Sequence, residues 1–141
     1  MEQIYNLPKE QDPNFQKYRD FVYNLEGTKD KDIRTRLDHA ITGLCSESGE
    51  LAGLMKKIKF FEAKIPKINF LDELGDILWY LTDAMNVFEI NLEDLIRLNM
   101  TKLRARHPDG FTNETALNKN KDKEQKEVDK VTGKDDEISM G

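Results

Sequence analysis

The sequence predicts an all-α protein, a four-helix bundle followed by a charged tail, and three observations predict it. Apolar residues recur three and four positions apart in four successive windows. Asp, Asn, Pro and Gly punctuate those windows where helices start and stop, and no window alternates as a half-buried strand does.

Met1 to Gln11 form a polar entry segment containing Pro8, and Asp12-Pro13 supply an N-cap and a proline for the first helical position. The first helix then runs to about Leu25 on Phe15, Tyr18, Phe21, Val22 and Leu25, and Glu26-Gly27-Thr28 stop it. From Asp30 to Lys59 the pattern is helical throughout. At about 100° per residue, Ile33, Leu37, Ala40, Ile41, Leu44, Leu51, Leu54, Met55 and Ile58 share one apolar arc. Gly43 and Gly49 each cost about 1 kcal/mol against alanine inside a helix, so they mark close approach by another helix or a ligand. Phe60 to Lys67 read as a connection, and Asn69 caps a third helix that continues to about Val87. Its arc is Phe70, Leu71, Leu74, Ile77, Leu78, Leu81, Ala84, Met85 and Phe88. Asn91-Leu-Glu-Asp94 opens the fourth in the manner of a capping box. Leu92, Leu95, Ile96 and Leu103 point inward there, Asn99, Lys102 and Arg106 form a row, and His107-Pro-Asp-Gly110 ends the helix.

Residues 1–117 therefore make one domain. From Asn118 to Gly141 lysines and acids alternate with almost nothing apolar, which cannot offset the entropy of ordering, so 118–141 read as a disordered tail. The net charge of −5 is small and the lysines are interleaved with acids, which leaves no nucleic-acid footprint. No eighteen-residue apolar run or signal-peptide pattern is present, and a single cysteine agrees with a reducing compartment; the expectation is a soluble, cytoplasmic protein without membrane contact. Cys45, inside the second helix, reads as a small core residue. Trp79 and Val87 fall outside a single-layer core, which points to at least a dimer.

Two acidic pairs carry the chemistry. Glu47 and Glu50 on the second helix and Glu73 and Asp76 on the third are each three residues apart, with twenty-two residues between the pairs. Each pair shares a helix face, and two such helices facing each other converge four carboxylates. Like charges that close repel unless a cation neutralises them, and hard oxygen ligands suit Mg²⁺, with Mn²⁺ as a substitute. A single acidic pair is commonly just a solvated helix face. Glu47, however, projects into the apolar arc between Ala40 and Leu54, where an unpaired charge is costly. His39 lies near Glu50 on the wheel and is a candidate substrate contact.

Glu47-x-x-Glu50, the spacer, Glu73-Leu-Gly-Asp76-Ile-Leu-Trp-Tyr80 and Lys102-Leu-x-x-Arg106-x-Pro108-x-Gly110-Phe111 together resemble the MazG-type all-α nucleoside triphosphate pyrophosphohydrolases, over roughly Arg34 to Thr112. The resemblance implies an oligomer, a homodimer or dimer of dimers, that uses Mg²⁺ to split a nucleoside triphosphate into monophosphate and pyrophosphate in nucleotide-pool control. It makes Glu47, Glu50, Glu73 and Asp76 the metal ligands and gives Tyr80, Asn99, Lys102 and Arg106 the phosphates or sugar. Ser46 stands where many members carry a second glutamate. A carboxylate not fully used in coordination, Glu47 or Glu50, is then the candidate general base for the attacking water. Two alternatives stand beside this: an enzyme like the phosphoribosyl-ATP pyrophosphatases, and a non-enzymatic helical interaction protein in which the acids pair with Lys102 and Arg106. A di-iron carboxylate bundle is disfavoured, because neither acidic motif has a histidine at its fourth position.

Overall fold

A computed structural model describes residues 12–132, and these contain six helices and no strand. The chain divides into two compact units, Asp12–Glu89 and the part that begins at Ile90. The entry segment up to Gln11 and the last nine residues of the expected tail lie outside the described residues.

In the first unit α1 spans Pro13–Leu25, α2 Ile33–Phe61 and α3 Lys67–Val87. Asp12 caps α1 as its sequence requires, accepting from the Asn14 backbone N–H at 2.7 Å, with Pro13 in the first turn. The helix is anchored on α3 by a reciprocal pair: Arg19 Nε donates to Asn86 Oδ1 at 2.9 Å, and Asn86 Nδ2 donates to the Arg19 carbonyl at 3.1 Å. Asp32 opens α2 by accepting from the Thr35 N–H at 3.1 Å and the Thr35 hydroxyl at 2.8 Å, which together hold its carboxyl below the usual range. Glu62 closes α2 in the left-handed region, φ 51°, returning its N–H to the Lys57 carbonyl.

Asn69 does not cap α3. The helix starts two residues earlier, directly after Pro66, whose fixed φ and extended ψ of 141° end the connection without any side-chain cap. The first unit's core is made by Val22 of α1, Leu37, Ala40 and Leu54 of α2, and Met85 and Val87 of α3. Val87 is thus buried, contrary to the expectation that it faces outward. Cys45 is exposed instead of packed, because α2 is covered along only one side within its unit and Cys45 falls on the other. Much of each apolar arc stays open for the same reason: Ile41 and Met55 on α2, and Leu71, Leu74 and Leu78 on α3, are exposed.

In the second unit α4 spans Leu92–Arg106, α5 Asn113–Leu117 and α6 Lys121–Thr132. Asn91 Oδ1 accepts from the Asp94 N–H at 2.7 Å, and Glu93 and Asp94 at one end with Arg104 and Arg106 at the other complement the helix dipole. The expectation of disorder from Asn118 onward is not met at Lys121–Thr132. That segment is helical and packs on α4, where Arg106 Nε and Nη2 donate to the two Glu124 carboxylate oxygens, each at 2.7 Å. Composition missed this because the stabilising partner is a planar guanidinium on another helix, not an apolar anchor in the segment itself.

The arginine fork holds the buried Glu124 carboxyl below its ordinary value, with Lys102 and Lys119 adding to the pull. A lowered pKa of this kind contributes stability above the ordinary carboxylate range and loses it as pH falls through the lowered value. Amide NMR of Asp122 to Asp129 is therefore expected to show α6 loosening in acid, and Glu124→Gln to show the same at neutral pH. Wild-type shifts in Glu124→Gln at pH 7 would place the docking energy elsewhere.

Candidate active site

The two acidic pairs come together where α2 packs on α3. One carboxylate oxygen each from Glu47, Glu73 and Asp76 lies within 4.8 Å of the others, a separation that a single cation can bridge. Glu50 is not part of that triple, yet it stands close enough to act on it. The Glu47 carboxyl is pushed up by its partial burial, then by the charges of Glu50, Asp76 and Glu73. Glu73 is raised by loss of solvent and then by Glu50, Asp72 and Asp76, with Lys57 the one opposing influence. Four mutually repelling acids in one place are a donor set of hard oxygens, and a divalent cation such as Mg²⁺ or Mn²⁺ fits it.

Two neighbours of this cluster were not legible in the sequence. Tyr18 of α1 sits near Asp76, whose charge joins burial in raising the phenol's pKa. Lys57 reads as part of a solvated face on its own helix, but it faces Glu73 across the α2–α3 seam. Both depend on the relative register of two helices, for which a helical wheel carries no signal.

Tyr80 lies one turn beyond Asp76 on α3, and its ring is seated on Gly43. A Cβ at Gly43 would come within 2.1 Å of the Tyr80 ring, so the glycine is there for close approach, as its cost inside a helix suggested. Gly49 shows no such neighbour, and nothing within 4 Å explains it. A cavity of about 400 Å³ opens beside the tyrosine, lined by Thr35, Asp38, His39, Thr42, Gly43, Ser46 and Tyr80. Its aromatic wall is built edge to face: Trp79 on Tyr80 at 4.9 Å, and His39 on Tyr80 at 5.6 Å between ring centres. Trp79 packs on the lining tyrosine and is not itself part of the lining. Ser46, next in sequence to Glu47, lines the same cavity.

His39 is turned toward the interior as well as the cavity. Its Nδ1 lies 3.6 Å from both Glu26 Oε1 and Asp83 Oδ2. The row on α4 is in the second unit: Asn99 is exposed, Lys102 half-exposed, and Arg106 has its fork filled by Glu124.

The family model described as the MazG nucleotide pyrophosphohydrolase domain matches residues 36–111, more than half of the chain. The Gene 37 protein of Mycobacterium phage L5 is 33% identical over 88 residues, covering 60% of this chain and 77% of that protein. No solved structure matches. Among the described residues no helix is long and apolar enough to cross a membrane. With an all-helical fold, acids from two adjacent helices converging on one point, and a match that spans both acidic pairs and continues to Phe111, the chain belongs to the MazG nucleotide pyrophosphohydrolase family.

Proposed function

We propose that the protein hydrolyses nucleoside triphosphates to nucleoside monophosphate and pyrophosphate with the help of a divalent cation, in nucleotide-pool control. The observation that carries this is the convergence of Glu47, Glu73 and Asp76, with Glu50 beside them, in a chain of this family. Glu47, Glu73 and Asp76 would hold the cation, which when bound would neutralise crowded phosphate oxygens and make a water more acidic. Water adds through its oxygen to phosphorus, the bridging bond between the α- and β-phosphates breaks, and the water proton is taken by a carboxylate. Glu47 or Glu50, whichever is not fully used in coordination, is the candidate acceptor. Tyr80 and His39 line the neighbouring cavity, which has room for a base or sugar. Asn99 and Lys102 are carried over from the family resemblance alone, as a hydrogen bond and a positive charge for phosphates. The interaction-protein alternative, in which the acids pair with Lys102 and Arg106, is weakened because Arg106 already has a bidentate partner.

Phosphorus NMR of the protein with Mg²⁺ and a panel of nucleoside triphosphates is expected to show monophosphate and pyrophosphate rising in equal amounts. Orthophosphate as the first product would overturn the reading. Turnover of phosphoribosyl-ATP alone would move it to that relative's chemistry.

We also propose a homodimer or a dimer of dimers, supported by the open apolar arcs of α2 and α3. Light scattering at micromolar concentration is expected to give at least twice the monomer mass of 16.4 kDa. A monomer would refute it. The lone cysteine and the absence of an apolar spanning helix among the described residues suit a cytoplasmic protein.

A further inference from the structure

A second cluster of titratable groups lies inside the first unit and shares only His39 with the cavity described above. Glu26, the residue that ends α1, is 2% exposed, and Asp83 of α3 is 1% exposed. His39 of α2 stands between them. Its Nδ1 is 3.6 Å from an oxygen of each, beyond hydrogen-bond reach, and one ligand atom from each residue lies within 4.8 Å of the other two. Charged residues this deep are ordinarily paired or coordinated.

Here the protein satisfies them only in part, at Glu26 Oε1. Asp83 Oδ2, Glu26 Oε2 and His39 Nδ1 are all shielded from solvent and have no hydrogen-bond partner. Asp83 Oδ2 and His39 Nδ1 point at each other without meeting. Among the described residues Arg36 also acts on Asp83, and its own buried Nε is likewise without a partner. The Asp83 carboxyl is accordingly raised, by burial first and by the Glu26 charge second.

We propose that Glu26, His39 and Asp83 bind a borderline first-row divalent ion, Zn²⁺ foremost, at a site separate from the Glu47, Glu73 and Asp76 cluster. The donor set decides the class. One imidazole nitrogen and two carboxylate oxygens suit Zn²⁺, whereas Mg²⁺ prefers oxygen and water alone. The 3.6 Å spacing from the nitrogen to Asp83 Oδ2 is close to the edge of a tetrahedron whose ligands sit about 2.0–2.1 Å from its centre, and Glu26 brings its unpartnered Oε2. An outer hydrogen-bond layer is already in place, since Thr28 donates through both its backbone N–H and its hydroxyl to Glu26 Oε1. His39, its side chain 36% exposed, also lines the cavity beside Tyr80. The ion ties the end of α1, the second turn of α2 and the last turns of α3 together, and its role is to hold the three-helix unit in register.

The test uses the full chain, stripped with chelator and then titrated with Zn²⁺ by calorimetry in excess Mg²⁺, which occupies the carboxylate-only cluster. One Zn²⁺ per chain is expected, with a rise in melting temperature, and Co²⁺ in its place is expected to give visible absorption of a four-coordinate ion. His39→Gln, at a half-exposed position, and Asp83→Asn, nearly isosteric, are expected to weaken Zn²⁺ on the order of a hundredfold. Glu73→Gln is expected to bind it as wild type does. The chain has two histidines, so in His107→Gln the imidazole NMR signal that shifts with Zn²⁺ must belong to His39. No retained Zn²⁺ in the presence of Mg²⁺, unchanged affinity in His39→Gln, or loss of the site in Glu73→Gln would each overturn the proposal.

Discussion

Glu47→Gln is expected to lower hydrolysis by about a thousandfold while the metal-free protein becomes more stable. The two effects share one cause. Glu47 is half-buried among Glu50, Glu73 and Asp76, and its carboxyl is raised by that burial and by those charges. A raised carboxyl contributes stability below its ordinary value and loses it as pH rises through the raised value, so at neutral pH the metal-free cluster strains the α2–α3 seam. Glutamine keeps the shape and removes the charge, which relieves the repulsion. It also removes a metal ligand and a candidate proton acceptor, and loss of such electrostatic stabilisation commonly costs about 10² to 10³ in rate before the base is counted. Melting curves with and without Mg²⁺, beside initial rates, check both halves. Wild type is expected to gain stability with Mg²⁺ and the variant to gain little. A variant that still turns over at a tenth of the wild-type rate would remove Glu47 from the chemistry and leave Glu50 as the base.

Lys102→Met is expected to lower turnover on the order of a hundredfold with a smaller change in the Michaelis constant. That pattern belongs to a charge that meets phosphate oxygens as they become more negative in the transition state; a ground-state grip would raise the Michaelis constant alone. One charge-assisted contact of this kind commonly accounts for about 2 to 4 kcal/mol. The structure separates Lys102 from its neighbour in the row, because Arg106 spends its fork on Glu124 while Lys102 is half-exposed. Arg106→Met is therefore expected to act first on α6, seen in the NMR shifts of that helix, with any loss of turnover following from it. Near wild-type kinetics in Lys102→Met would return this lysine to a solvated face.

The helices themselves were legible because their signals are local. Asp12-Pro13 and Asn91 cap where they should, and α1 ends at Leu25, since a capping oxygen and a fixed proline φ act within three residues of where they stand. The acidic pairs were legible for a related reason. Three residues on a helix put two carboxylates on one face whatever that helix packs against. Gly43 announced a close approach through its cost, although nothing local named Tyr80 as the ring that makes it.

What lay beyond the sequence depends on which face of each helix finds a neighbour. Cys45 and much of both apolar arcs stay open because α2 and α3 cover each other along one side, whereas Val87 is enclosed where α1 returns on α3. Lys121–Thr132 folds although its own composition argues against it, because Arg106 on α4 supplies a partner that a count of residues in the segment omits. His39 is the clearest case. By periodicity it belongs beside Glu50 on the surface of α2. Only the docking of α1 and α3 brings Glu26 and Asp83 to 3.6 Å from its ring and turns three scattered polar residues into one unsatisfied cluster. Spacing along a helix is set by the backbone and is written in the sequence; the meeting of residues from three helices is set by their packing, which the tertiary structure alone decides.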